Sequence, residues 1–141
     1  MSRIFWDTNL FIYLLEGSGE NFQRVRGLLD RMLERRDELL TSTLTLGEVL
    51  VKPMEMGRND WAQRYERFLD SPGVRLLPFD RDSARIYASI RRDRTIRPPD
   101  AIQLACAAAA GTDLFITNDD RLSRKTLPGV HFIVPLRQAF L

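Results

Sequence analysis

One cysteine and one histidine stand in 141 residues. Cys106 alone cannot close a disulfide within the chain, and with His131 it cannot furnish the thiolate and imidazole set of a structural zinc. A Ser-His-Asp or Cys-His engine has only His131, close to the C-terminal end, to draw on. Lysine is scarce as well: Lys52 and Lys125 are two of the 21 basic residues, and the rest are arginine. No apolar run approaches the roughly 18 residues of a membrane helix. No segment repeats, and no low-complexity tract or linker marks a boundary, so residues 1–141 read as one domain. The opening MSRIFWDTNL puts Asp7 where an export signal needs unbroken apolar character, so a cytoplasmic location is expected.

What is present is ordinary core material and many carboxylates. Hydrophobic residues make up 44% of the chain and charged residues 28%, which excludes wholesale disorder. A net charge of +2 is mild and names no partner. The arginine bias is more suggestive, because guanidinium forks match phosphate oxygens in pairs. An arginine-favouring genome accounts for it equally well.

Strand-like and helix-like patterns alternate. Arg3–Trp6 reads as a short buried strand, and Asp7-Thr8-Asn9 offers capping side chains for the helix LFIYLLE. Phe22, Val25, Leu29 and Met32 recur at helical spacing between Glu20 and Glu38. Leu39–Thr43 fits a second strand. A helix opening at Thr45 is kinked or ended near Pro53 and stopped by Gly57. Asn59-Asp60 caps a helix with Trp61, Tyr65 and Phe68 on one face, a stripe read as core or dimer surface. Val74–Phe79 is a third strand, placed at an edge or strand end by Pro78. Asp80 to Asp93 is helical, and Pro98-Pro99 opens a helix that runs to Gly111. Leu114–Thr117 and Val130–Val134 complete the strands. This alternation implies crossover connections. The fold class expected is α/β, a three-layer α/β/α sandwich with a central, mostly parallel sheet of about five strands.

Open parallel sheets bind ligands beyond the carboxyl ends of their strands. Asp7 follows the first strand, Glu48 lies one helical turn past the second, and Asp119 follows the fourth. Asp100 opens the alanine-rich helix. Each acid has a plain structural role available. Asp7 or Asp119 can cap a helix or turn, Glu48 can complete a Thr45-x-x-Glu48 capping box or pair with Lys52, and Asp100 suits a helix N-terminus. Asp120 competes with Asp119 for the same place. Together they are harder to dismiss, since two unit charges about 4 Å apart repel by roughly 4 kcal/mol at an effective dielectric near 20. A cluster of four needs cations or protons. Mg²⁺, with Mn²⁺ as a substitute, takes such oxygen ligands and supports hydrolysis that needs neither His nor Cys.

The ordered set Ile4-Phe5-Trp6-Asp7-Thr8-Asn9, Glu48, Pro99-Asp100-Ala101-x-x-x-Ala105 and Ile116-Thr117-Asn118-Asp119 resembles the PIN-domain ribonucleases, and more narrowly the VapC-type toxins of bacterial toxin–antitoxin pairs. The resemblance spans essentially the whole chain. Its key acids are separated by 41, 52 and 19 residues. It implies that Asp7 and Asp100 are the principal Mg²⁺ ligands and that Glu48 and Asp119 complete the acidic pocket and orient or deprotonate the attacking water. Asn9 and Thr117 are implied as supporting groups. It further implies endonucleolytic RNA cleavage leaving 5′-phosphate and 3′-hydroxyl ends, inhibition by a cognate antitoxin protein, and a homodimer, with no membrane partner. A non-catalytic RNA-binding or protein-interaction module on the same fold is the alternative.

Arg91, Arg92, Arg94 and Arg97 crowd the approach to Asp100 and are candidate RNA contacts. Arg24, Arg31 and Arg35 share a helical stripe, but interleaved acids make it a solvated face. Asp80-Arg81-Asp82 comes too late in the chain for the Asp-x-Asp opening of haloacid dehalogenases and reads as a helix cap. Cys106 is a small buried filler.

Overall fold

The computed structural model describes residues 1–139. Its centre is a five-stranded, wholly parallel sheet in the order β3-β2-β1-β4-β5. The strands are β1 (Arg3–Trp6), β2 (Glu38–Ser42), β3 (Val74–Leu77), β4 (Thr112–Thr117) and β5 (Val130–Pro135). The helices are α1 (Thr8–Glu16), α2 (Gly19–Arg35), α3 (Thr43–Glu55), α4 (Asn59–Leu69), α5 (Arg81–Ile90) and α6 (Pro98–Ala110). Neighbouring residues of a strand point to opposite faces. Ile4, Trp6, Leu39 and Ile116 therefore enter the core under α1–α4, while Phe5, Leu40 and Phe115 enter the one under α5 and α6. Both faces are covered, and the expected α/β/α sandwich is present.

The aromatic residues anchor both layers. Phe5 and Phe115 stack across β1 and β4 with centroids 4.9 Å apart. Trp6 is fully buried and tilts against Phe11 at 5.2 Å. Its indole N–H has no partner, a cost of about 1–3 kcal/mol that the large apolar area buried with the ring offsets. The aromatic stripe of α4 is core: Tyr65 is fully buried, and Phe68 meets Phe11 edge-on. Cys106 is buried, as expected.

Several boundaries differ from those expected. The helix expected through Glu38 ends at Arg35, because Arg36 turns left-handed at φ +60° and its N–H caps the Met32 and Leu33 carbonyls. Glu38 then begins β2, where its N–H reaches the Ser2 carbonyl. The helix expected from Thr45 opens at Thr43, one residue after β2 ends. Pro53 lies inside α3 and is buried. Asn59 is the first residue of α4 rather than its cap; Arg58 holds the cap position, and its guanidinium grips Asp60 at 2.9 and 3.0 Å. β3 lies at an edge of the sheet, as Pro78 implied. Asp80 caps α5 by accepting the Ser83 N–H.

The chain starts in the middle of the sheet at β1, builds outward through β2 and β3, and returns to build the other side with β4 and β5. The reversal falls between β1 and β4. Such a switch point leaves a crevice at the carboxyl ends of the two strands, and Asp7 and Asp119 lie just beyond those ends.

Candidate active site

Local structure holds Asp7 firmly. Its N–H continues the sheet to the Ile116 carbonyl at 3.0 Å. One carboxyl oxygen caps α1 by accepting the Thr8 N–H at 2.9 Å, and the other accepts the Thr117 hydroxyl at 2.9 Å. Capping and site membership are thus the same geometry here. Thr117, fully buried, also accepts the Asp119 N–H at 3.1 Å, so a single hydroxyl fixes both acids.

Asp100 stands in the first turn of α6, behind Pro98 and Pro99. Asp119 sits in the turn after β4, where its carboxylate accepts the Arg121 N–H at 2.9 Å. Glu48 projects from the second turn of α3, and its Oε1 accepts the Thr8 hydroxyl at 2.6 Å. The capping box and the Glu48–Lys52 pair are not what forms. Thr45 lies inside α3 among other side chains, and the Lys52 ammonium lies 5.9 Å from the centre of the Trp61 ring.

Asp7, Glu48, Asp100 and Asp119 together line one cavity of about 390 Å³. Thr8, Asn9, Ile12, Pro99 and Gln103 complete its wall with Arg97, the one cation among the described lining residues. Asp120 faces elsewhere and pairs with Arg137. Of the four arginines before Asp100, only Arg97 reaches the cavity. Its guanidinium lies 3.4 Å from Asp100 and 3.9 Å from Asp119. Arg91 donates instead to the Ile96 carbonyl at 2.6 Å, and Arg92 and Arg94 are exposed away from the cavity wall. Lys125, 2.9 Å from Asp93, ties the loop before α6 to the segment after β4. Arg24 pairs with Glu20 in solvent, as expected of that stripe, whereas Arg35 pairs with Asp37, whose side chain is buried and also accepts the Ser2 N–H.

The electrostatics are uneven. Burial, aided by the charges of Asp100 and Glu48, pushes the Asp7 carboxyl up to about 6 despite its two hydrogen bonds. Burial also acts to raise Asp119. The Arg121 and Leu122 N–H groups and the Arg121 charge outweigh it, and Asp119 is held below the usual carboxylate range. Burial thus disfavours the charged form of Asp7, while the groups around Asp119 favour its charged form. Among the described residues, no group of three or more His, Cys, Asp or Glu side chains is gathered closely enough to hold a metal ion by itself. An open set of oxygens around a cavity still fits a hard cation that keeps several waters and takes one or two carboxylates. Asp7 and Asp100 both line the cavity and could each supply one such carboxylate.

Gln103 is the member that residue patterns missed. It lies one turn past Asp100, is 1% exposed, and hydrogen-bonds three side chains beside the cavity, those of Thr8, Ser42 and Thr45. A lone amide on the apolar face of an alanine-rich helix was its only signal.

Fold and site together define an α/β protein with an acidic crevice at the switch point of a parallel sheet. Residues 4–126 match the family model of the PIN domain, and the chain belongs to the PIN-domain family. Its fold is also similar to solved structures. One is the DNA-bound VapBC from Salmonella typhimurium, with a TM-score of 0.75, 20% identity, and 96% of this chain and 99% of that chain covered. VapBC2 from Rickettsia felis, bound to a DNA fragment from its promoter, gives 0.75 at 14% identity over 94% and 98%. FitAcB from Neisseria gonorrhoeae gives 0.64 at 25% identity over 82% and 87%. The sequence has no significant match among curated proteins.

Proposed function

We propose that this protein is a Mg²⁺-dependent endoribonuclease and the toxin of a toxin–antitoxin pair. One observation carries the reading: Asp7, Glu48, Asp100 and Asp119, from four separate stretches of chain, line one cavity. The family supports a nuclease, and the resemblance to PIN-domain ribonucleases supports RNA as its substrate. Similarity to VapBC complexes and to a toxin–antitoxin complex from Klebsiella pneumoniae supports a protein antitoxin as partner. Exposed Val51, Met54 and Met56 at the end of α3 are apolar surface consistent with a homodimer. No helix of the described chain is long and apolar enough to cross a membrane.

In this reading a bound Mg²⁺, or Mn²⁺ in its place, supplies Lewis acidity and counter-charge for a phosphodiester. Asp7 and Asp100 would hold the ion. Thr117 keeps Asp7 and Asp119 in fixed relation, so the acids need little reorganisation on binding. Glu48 and Asp119 orient the attacking water and take its proton. Arg97, an exposed guanidinium in the cavity wall, would be placed to receive a substrate phosphate.

The test is cleavage of end-labelled RNA by the purified chain in Mg²⁺, in Mn²⁺ and in EDTA. We expect internal cuts that stop in EDTA. Asp100→Asn is expected to lower the rate at least about a hundredfold while leaving the thermal transition cooperative. Full cleavage by Asp100→Asn refutes this mechanism. Absence of metal binding and cleavage in the native protein refutes the nuclease and favours a binding module.

A further inference from the structure

A buried polar cluster supports the acidic cavity from below. Gln103 enters it from α6, Thr41 and Ser42 from the end of β2, and Thr45 from α3, and all four are fully or almost fully buried. Burying an amide is costly unless its donors and acceptor are all used. Here they are. The Gln103 Oε1 accepts the Ser42 hydroxyl, and its Nε2 donates to Thr45 Oγ1 at 2.7 Å and to Thr8 Oγ1 at 3.0 Å. Thr8 is the bridge to the cavity, because its hydroxyl lies 2.6 Å from Glu48 Oε1.

Counting protons gives the cluster a direction. An ionised carboxylate only accepts, so the single hydroxyl proton of Thr8 goes to Glu48. The Thr8 oxygen must then accept from Gln103, with the Thr45 hydroxyl 3.1 Å away on its other side. The Thr45 oxygen accepts from Gln103, and its own proton is shared between Thr8 and Thr41, because the single Thr41 proton also faces the Trp6 carbonyl at 3.0 Å. Turning the amide over would set its oxygen against Thr8, whose one proton Glu48 already claims. The chain Gln103–Thr8–Glu48 therefore runs one way, from the buried amide to the carboxylate, and each bond polarises the next.

We propose that Gln103 is a positioning residue of this site, holding the Glu48 carboxylate at the cavity wall through the Thr8 hydroxyl. The role rests on the nuclease reading, but the contact itself can be measured without metal or RNA. Side-chain ¹³C NMR of Glu48 is the first measurement, with thermal unfolding as the check that each variant is folded. Native protein is expected to show Glu48 in one conformation. Gln103→Met, nearly equal in volume but without the amide, and Thr8→Val, without the hydroxyl, are each expected to leave it averaged. Thr8→Ser keeps the hydroxyl and is expected to keep Glu48 ordered.

The second measurement is Mn²⁺ affinity by electron paramagnetic resonance. Gln103→Met and Thr8→Val are each expected to weaken it about tenfold, and the double variant to be no weaker than Thr8→Val alone. Multiplying losses would mean that Gln103 acts by another route and would overturn the proposal. An ordered Glu48 in Gln103→Met or in Thr8→Val would overturn it too, and so would unchanged Mn²⁺ affinity with Glu48 averaged. If native protein neither binds Mn²⁺ nor cuts RNA, the nuclease reading fails. The NMR comparison then still decides whether Gln103 holds Glu48.

Discussion

Replacing Asp7 with asparagine should make the protein more stable, and only above about pH 5. Asp7 carries a native carboxyl at about 6 instead of 3.8. The folded state therefore binds this proton more tightly than the unfolded state does. Below pH 4 the group is protonated in both states and costs nothing. As pH rises from about 4 towards 7, the unfolded chain ionises first, and folding must carry an increasing penalty. The displacement corresponds to about 3 kcal/mol once complete. Because Asp7 keeps one side open to the cavity, that figure is an upper bound. Asparagine escapes the penalty but replaces one of two accepting oxygens with a donor facing Thr8 or Thr117, which costs about 1 kcal/mol. The net gain is about 1–2 kcal/mol above pH 7, or roughly 3–6 °C in Tm for a chain of this size. Near pH 4.5 the gain should vanish or change sign. Thermal melts of native protein and Asp7→Asn in EDTA at pH 4.5 and 7.5 measure this directly. Equal destabilisation by Asp7→Asn at both pH values would refute the claim that Asp7 is held against its own charge. Excess Mg²⁺ at pH 7.5 should then raise the Tm of native protein more than that of Asp7→Asn.

Other outcomes follow from the same geometry. Arg97→Ala should weaken RNA binding and lower the slope of log affinity against log salt by about one; an unchanged slope removes Arg97 from the phosphate path. Asp93 is held down at about 2, first by the Thr95 hydroxyl and then by Lys125. The stability this group contributes is present above pH 4 and lost as pH falls towards 2, so Lys125→Met should flatten that part of the acid-unfolding curve. Gly129 lies at φ +92°, and an added Cβ would come within 2.7 Å of the Ala108 carbonyl oxygen. Gly129→Ala should cost at least about 2 kcal/mol, readable as a lower urea midpoint with unchanged slope.

Much of this molecule follows from local chemistry. The strands β1 and β4 are short runs whose alternate residues both need burial, which only a sheet covered on two faces provides. Asp80, Gly111 and the Pro98-Pro99 pair act as cap, stop and start because their preferences are intrinsic to the residue and its neighbours. The four acids could be picked out because strand ends of an open parallel sheet are where such groups meet. Where local preference was weak, tertiary contact decided. Glu38 joined β2 rather than α2 because Arg36 could turn left-handed and the Ser2 carbonyl waited across the sheet. Thr45, which matched a capping box, became part of a buried network because Thr8, Thr41 and Gln103 arrived from three other segments. Likewise Asp119 rather than Asp120 faces the cavity, since Thr117 and Arg137 pull the neighbouring acids in opposite directions. Gln103 could not be recognised from its own surroundings, because an amide's role depends on which partners reach it, and those partners lie 58 to 95 residues away along the chain.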